Sequence, residues 1–162
     1  MAISVPLVSS GELAAHLRDE DLLVCDCRFA GDADTSRARY ESGHLPGAIH
    51  VYWLEDLAAA DTTVTTFLPD PDEAADRLGR LGITHETTVV AYSDGGNLYP
   101  SRLWHVLAHY GHEQVALLDG GIENWEAEGR PLERGSTPPR PATFRPRVSP
   151  WRRREGYPSA AR

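Results

Sequence analysis

Four short, nearly all-apolar runs punctuate the chain: "LLVCDC" (22–27), "AIHVYW" (48–53), "TTVVAY" (87–92) and "QVALLD" (114–119). Apolar residues on successive positions mean that both faces of such a strand are buried, which is the state of a strand inside a parallel sheet. Helical patterns lie between and around them. "SSGELAAHL" opens with Ser10 as the expected cap; "DPDEAADRLGRLG" ends at Gly82, "SRLWHVLAHYG" at Gly111 and "GIENWEAEG" at Gly129. Strand and helix in alternation predict an α/β fold, a central parallel sheet flanked by helices on both faces, with ligands outside the carboxyl ends of the strands.

The loop at one such end, in "VVAYSDGGNLYPSR" (89–102), carries Gly95 and Gly96 and runs into a helix. A loop of this kind aims successive backbone N–H groups at one point, where an anion or a nucleophile fits. Ser93 stands at its start. The amides of Asp94, Gly95, Gly96, Asn97 and Leu98, the Asn97 side chain and the Arg102 guanidinium are the expected ligand-binding groups, with Tyr99 and Trp104 as walls. They suit a small anionic ligand held without a covalent step.

Length suits one domain with a sizeable core. The expected division is a domain over residues 1–132 and a Pro/Arg-rich C-terminal tail or linker over 133–162, which holds six Pro in thirty residues. The tail has eight Arg against two Glu, a balance of +6, leaving −14 for residues 1–132 out of the total of −8. An acidic body repels phosphate, so nucleic acid is not an expected partner. The tail is expected to lie along that body, with Phe144 and Trp151 as anchors. All sixteen basic residues are Arg, and without lysine there is no Schiff-base chemistry. No apolar run is long enough to span a membrane, and the first residues do not read as a secretion signal; the expected location is cytoplasmic. Cys25 and Cys27, two apart on one strand, are too widely spaced for a disulfide and are expected to be buried, inert thiols.

Four segments in this order resemble the rhodanese family: "LLVCDCRFA", "RARYESGHLPGAIHV", "VVAYSDGGNLYPSRLW" and "GHEQVALLDGGIENWEAEGRPL". The likeness is greatest to the N-terminal, non-catalytic half of the two-domain thiosulfate and mercaptopyruvate sulfurtransferases. It implies a rhodanese-like domain in which the loop after the fourth strand holds a catalytic cysteine. That thiolate takes a sulfane sulfur from a donor such as thiosulfate and hands it from a persulfide to an acceptor, a ping-pong reaction with no cofactor and no metal. Ser93 occupies the cysteine position. A hydroxyl neither ionises near neutral pH nor stores sulfur as a stable persulfide, so the resemblance implies a protein inactive in sulfur transfer. Its role would then be that of a scaffold for a protein partner or second rhodanese domain, or of an anion-binding domain.

Asp26 and Arg28 at a strand end, His44 in the "GHLPGA" turn, and Asp119 and Trp125 in "LLDGGIENW" are expected to be structural. Pro46 and Gly47 make the tight entry into a buried strand. The alternative is a repurposed enzyme using the loop pocket for a different reaction on a small anionic substrate. One form of it reads "AYSDG" as a variant of the G-x-S-x-G elbow with Ala91 in place of the first glycine. It needs a downstream histidine base, and of His105, His109 and His112 the first two ride the helix leaving the loop. His105 and His109 share an i, i+4 spacing but lack an H-E-x-x-H motif or a fixed third metal ligand.

Overall fold

The computed structural model describes residues 6–60 and 67–147. In chain order the elements are β1 (Leu7–Val8), α1 (Ser10–His16), β2 (Leu22–Asp26), α2 (Ala33–Ser42), β3 (Ile49–His50), α3 (Trp53–Asp56), α4 (Pro71–Arg80), β4 (Thr88–Tyr92), α5 (Leu98–His109), β5 (Val115–Leu118) and α6 (Gly121–Ala127). The five strands form one parallel sheet in the order β1-β5-β4-β2-β3. The α/β parallel architecture read from the alternation is the fold.

Side chains of β4 alternate between two cores, as the two-residue period of a strand requires. Val89 and Ala91 face a core closed by Ala74 and Leu78 of α4 and Leu103, Val106 and Leu107 of α5. Val90 and Tyr92 face the other, closed by Leu13 of α1 and Ile122 and Trp125 of α6. Cys25 and Val24 of β2 divide in the same way.

Helix starts follow from local chemistry. The cap of α1 is Ser9, not Ser10: the Ser9 side chain accepts from the Glu12 N–H at 3.2 Å and Glu12 returns to the Ser9 N–H at 2.9 Å, a capping box whose spacing counts from Ser9. Ser10 is instead a buried first-turn residue. Asp70 and Glu73 form the same box at α4, with Pro71 in its first turn. α2 escapes a periodicity search because it has almost no apolar face; its start is set by Asp32, which accepts from the Thr35 N–H at 2.8 Å.

Beyond α6 the chain turns back over the body. His44 and Glu133 exchange backbone hydrogen bonds at 2.9 and 2.8 Å. Residues 140–147 then run as a strap across the α4–α5 side, where the Ala142 N–H donates to the Gly79 carbonyl at 2.8 Å and the Arg147 N–H to that of Tyr110 at 3.0 Å. Phe144 is 2% exposed and completes the core of that side. A Cβ on Gly82 would lie 2.6 Å from the Arg140 carbonyl oxygen, so the strap lies directly on glycine backbone. Trp151, the second expected anchor, lies outside the described residues.

Candidate functional site

The loop 93–98 leaves the carboxyl end of β4, a central strand flanked by β2 and β5. Ser93 is 1% exposed, and its hydroxyl makes only a long bond, 3.4 Å, to the Asp94 carbonyl; among the described residues no imidazole shares it. The Ser93 carbonyl accepts from the Ile122 N–H at 3.1 Å. Gly95 and Gly96 have φ of 61° and 117°, backbone that favours glycine, and they turn the chain into α5. Asn97 precedes α5 without a side-chain capping bond, and Leu98 is 76% exposed.

A cavity of about 290 Å³ opens at the loop, lined by Gly95, Gly96, Asn97, Gly120, Gly121 and Glu123. Two charged groups meet the loop from elsewhere in the chain. Asp94 is paired with Arg39 of α2. The Gly95 N–H donates to Glu123 Oε1 of α6 at 2.6 Å. Arg102, expected to supply positive charge here, reaches elsewhere: its Nε and Nη2 donate to the Leu57 carbonyl at 3.2 and 2.9 Å, and Nη2 also to that of Phe67 at 2.9 Å. It braces the segment after α3.

Beneath the loop lies a buried charge network. Asp26 is fully buried and accepts from Arg28 Nη2 at 2.6 Å and from the Tyr92 hydroxyl at 2.6 Å. Arg28 Nη2 also donates to the Gly43 carbonyl at 2.6 Å, and the Leu45 N–H to the Tyr92 oxygen at 3.1 Å. Burial, followed by the Asp26 charge, pushes the Tyr92 hydroxyl well above the ordinary tyrosine range and keeps it a donor. The network ties β2, the 43–45 turn and the residue before Ser93 into one frame. Neither Tyr92 nor Glu123 stands out in the sequence; the signals were a tyrosine ending an otherwise aliphatic strand and an acid in the first turn after "GG".

The remaining expected residues divide cleanly. His44 is buried, with Nδ1 3.1 Å from the Tyr40 carbonyl and its ring stacked on Tyr40 at 4.2 Å. Trp125 is buried and donates from Nε1 to the Pro131 carbonyl at 2.9 Å, under the Arg130 guanidinium. Asp119 is exposed, and its backbone N–H is held by the Val8 carbonyl at 2.9 Å. Tyr99 joins Phe29 and Trp53 in an aromatic group with centroids 5.0 to 6.2 Å apart. Trp104 stands outside that group on α5, 40% exposed.

Cys25 and Cys27 are free and buried, and burial, with Asp56 and Asp26 nearby, raises both thiols far from ionisation. His105 and His109 lie along α5 with ring centroids 6.4 Å apart. Among the described residues no three His, Cys, Asp or Glu side chains are grouped to hold a metal, and no helix is long and apolar enough to cross a membrane.

Residues 9–128 match the family model of the rhodanese-like domain. The chain belongs to the rhodanese family. It is 39% identical over 146 residues to a probable 3-mercaptopyruvate sulfurtransferase of Pseudomonas aeruginosa, covering 87% of this chain and 51% of that protein. It is 36% identical to the sulfur carrier protein TtuD of Thermus thermophilus (78% and 41%) and 36% identical to a thiosulfate sulfurtransferase of Cricetulus griseus (85% and 46%). The chain spans about half the length of the curated relatives it matches. Among solved structures, the 3-mercaptopyruvate sulfurtransferase SseA of Escherichia coli superposes with a TM-score of 0.80 at 26% identity, over 91% of this chain and 57% of that one. The 3-mercaptopyruvate sulfurtransferase of Leishmania major gives 0.75 at 28%, over 90% and 42%.

Proposed function

We propose that this rhodanese-like domain is inactive in sulfur transfer and serves as a scaffold beside a catalytic partner, a second rhodanese-like domain above all. The observation that carries the reading is Ser93: a buried hydroxyl, unassisted by any base among the described residues, at the start of the loop where the family needs a thiolate. Oxygen there cannot take up a sulfane sulfur and release it again. The two thiols of the described residues belong to the strand core and cannot substitute for it.

Apolar side chains beside the loop support the scaffold role. Leu98 (76% exposed), Phe67 (52%) and Trp104 (40%) stand out from α5 and the segment before α4, and Arg102 holds the Phe67 backbone to α5. Solvent-facing large apolar groups suit a protein partner. The resemblance to one half of the two-domain sulfurtransferases supports a partner of the same fold.

The test is sulfur transfer from thiosulfate and from mercaptopyruvate, measured on the natural chain and on Ser93→Cys. The natural chain is expected to show no turnover above buffer, and Ser93→Cys to form a persulfide detectable by mass once Glu123→Ala frees the Gly95 N–H. Turnover by the natural chain that disappears in Cys25→Ser or Cys27→Ser overturns the reading.

A further inference from the structure

We propose that the Glu123 carboxylate is the resident occupant of the amide loop and decides what that loop admits: small anions are excluded while Glu123 is present and bind when it is removed. The inference rests on the non-catalytic reading, since it concerns the same loop without its nucleophile, and it assigns the loop's selectivity to a residue of another helix.

Three observations converge. The bond from the Gly95 N–H to Glu123 Oε1 is short, 2.6 Å, as bonds to a charged acceptor are, and it joins groups 28 residues apart. An acid in the first turn of a helix is usual for its interaction with the helix's own N–H groups, but that does not require a bond to a separate loop. The other carboxylate oxygen, Oε2, lies 3.2 Å from where a Cβ of Gly121 would be, so the carboxylate reaches from Gly121 to Gly95, both residues that line the cavity.

Charge around the cavity makes the third. Of its six lining residues only Glu123 is charged. Among the described residues no cation is paired with Glu123: Arg39 is paired with Asp94, and Arg102 reaches the Leu57 and Phe67 carbonyls. A thiosulfate or sulfate ion entering the loop meets this carboxylate at contact range and finds the Gly95 donor already used. Like charges a few ångströms apart near a protein surface repel strongly enough to lower affinity by about tenfold or more.

The experiment is a titration of the isotope-labelled full chain with sulfate and with thiosulfate, following the Gly95 and Gly96 amide resonances. The variants are Glu123→Ala, which removes the acceptor, Glu123→Gln, which keeps an acceptor and removes the charge, and Glu126→Ala as a control for net charge on the same helix. Glu123 is exposed, and an unchanged spectrum elsewhere verifies folding. Expected are no shifts in the natural chain or Glu126→Ala at millimolar anion, and saturable shifts in Glu123→Ala with affinity at least about tenfold higher. Saturation by Glu123→Gln as well shows that charge excludes the anion; saturation by Glu123→Ala alone shows that occupancy of the N–H does. Equal binding by the natural chain and Glu123→Ala, equal gains from Glu126→Ala, or no binding by any variant overturns the proposal. No sulfur acceptor is present, so these outcomes are independent of the turnover assay that tests the non-catalytic reading.

Discussion

Gly121 approaches Ser93 so closely that a Cβ added to it would lie 2.3 Å from the Ser93 carbonyl oxygen, and its φ of 58° is itself costly for any residue with a side chain. The start of α6 and the start of the loop are thereby held in backbone contact. Gly121→Ala is expected to lower stability by about 2–4 kcal/mol. Gly129→Ala is the control: its φ is 69° but a Cβ there meets nothing, so it should cost only about 1–2 kcal/mol. Urea midpoints at equal slope compare them, and equal losses would show that the close approach is not felt.

The Asp26 network should behave as one unit. Tyr92→Phe keeps the ring and removes one donor from a fully buried carboxylate, for an expected loss of about 1–3 kcal/mol. Asp26→Asn leaves Arg28 without its paired carboxylate in a buried site and is expected to cost more, about 3–5 kcal/mol. A double variant less harmful than the sum of the two, measured by chemical denaturation, identifies the coupling.

Asp56 gives the stability a pH dependence. Burial is the main cause that pushes its carboxyl up to about 6, although Oδ2 accepts from the Tyr52 N–H at 2.8 Å, a bond that opposes the rise. A carboxyl that holds its proton more tightly folded than unfolded favours the fold at low pH. That contribution is present below about pH 4 and lost as pH rises through about 6, by no more than about 3 kcal/mol. Asp56→Asn should flatten this part of the curve and raise stability at neutral pH; thermal melts between pH 4 and 7 would show it. A natural chain whose Asp56 contribution is constant over that range contradicts the assignment.

Phe144 tests the strap. Phe144→Ala empties a buried site in the core of the α4–α5 side and is expected to cost about 3–5 kcal/mol. If residues 140–147 were only draped on the surface, the loss would stay below about 0.5 kcal/mol.

The sequence carries the sheet well because burial on both faces leaves an unbroken apolar run, and four of the five strands announce themselves in this way. β1 does not, being two residues long, and α2 does not, being polar nearly throughout. Ser93 and the glycines of the loop are visible because backbone conformation restricts residue type at a turn. The direction of Arg102 is not: a guanidinium on a long side chain can reach toward the loop or toward the Leu57 and Phe67 carbonyls, and nothing local chooses between them. Glu123 is hidden for a related reason, since its partner Gly95 is near it only once β4 and β5 lie side by side.

Both outer strands of the sheet, β1 and β3, are two residues long. Each offers so few open N–H and C=O groups that another polypeptide has almost no ladder to extend. Copies of this fold are therefore poorly equipped to zip into fibres through these two margins.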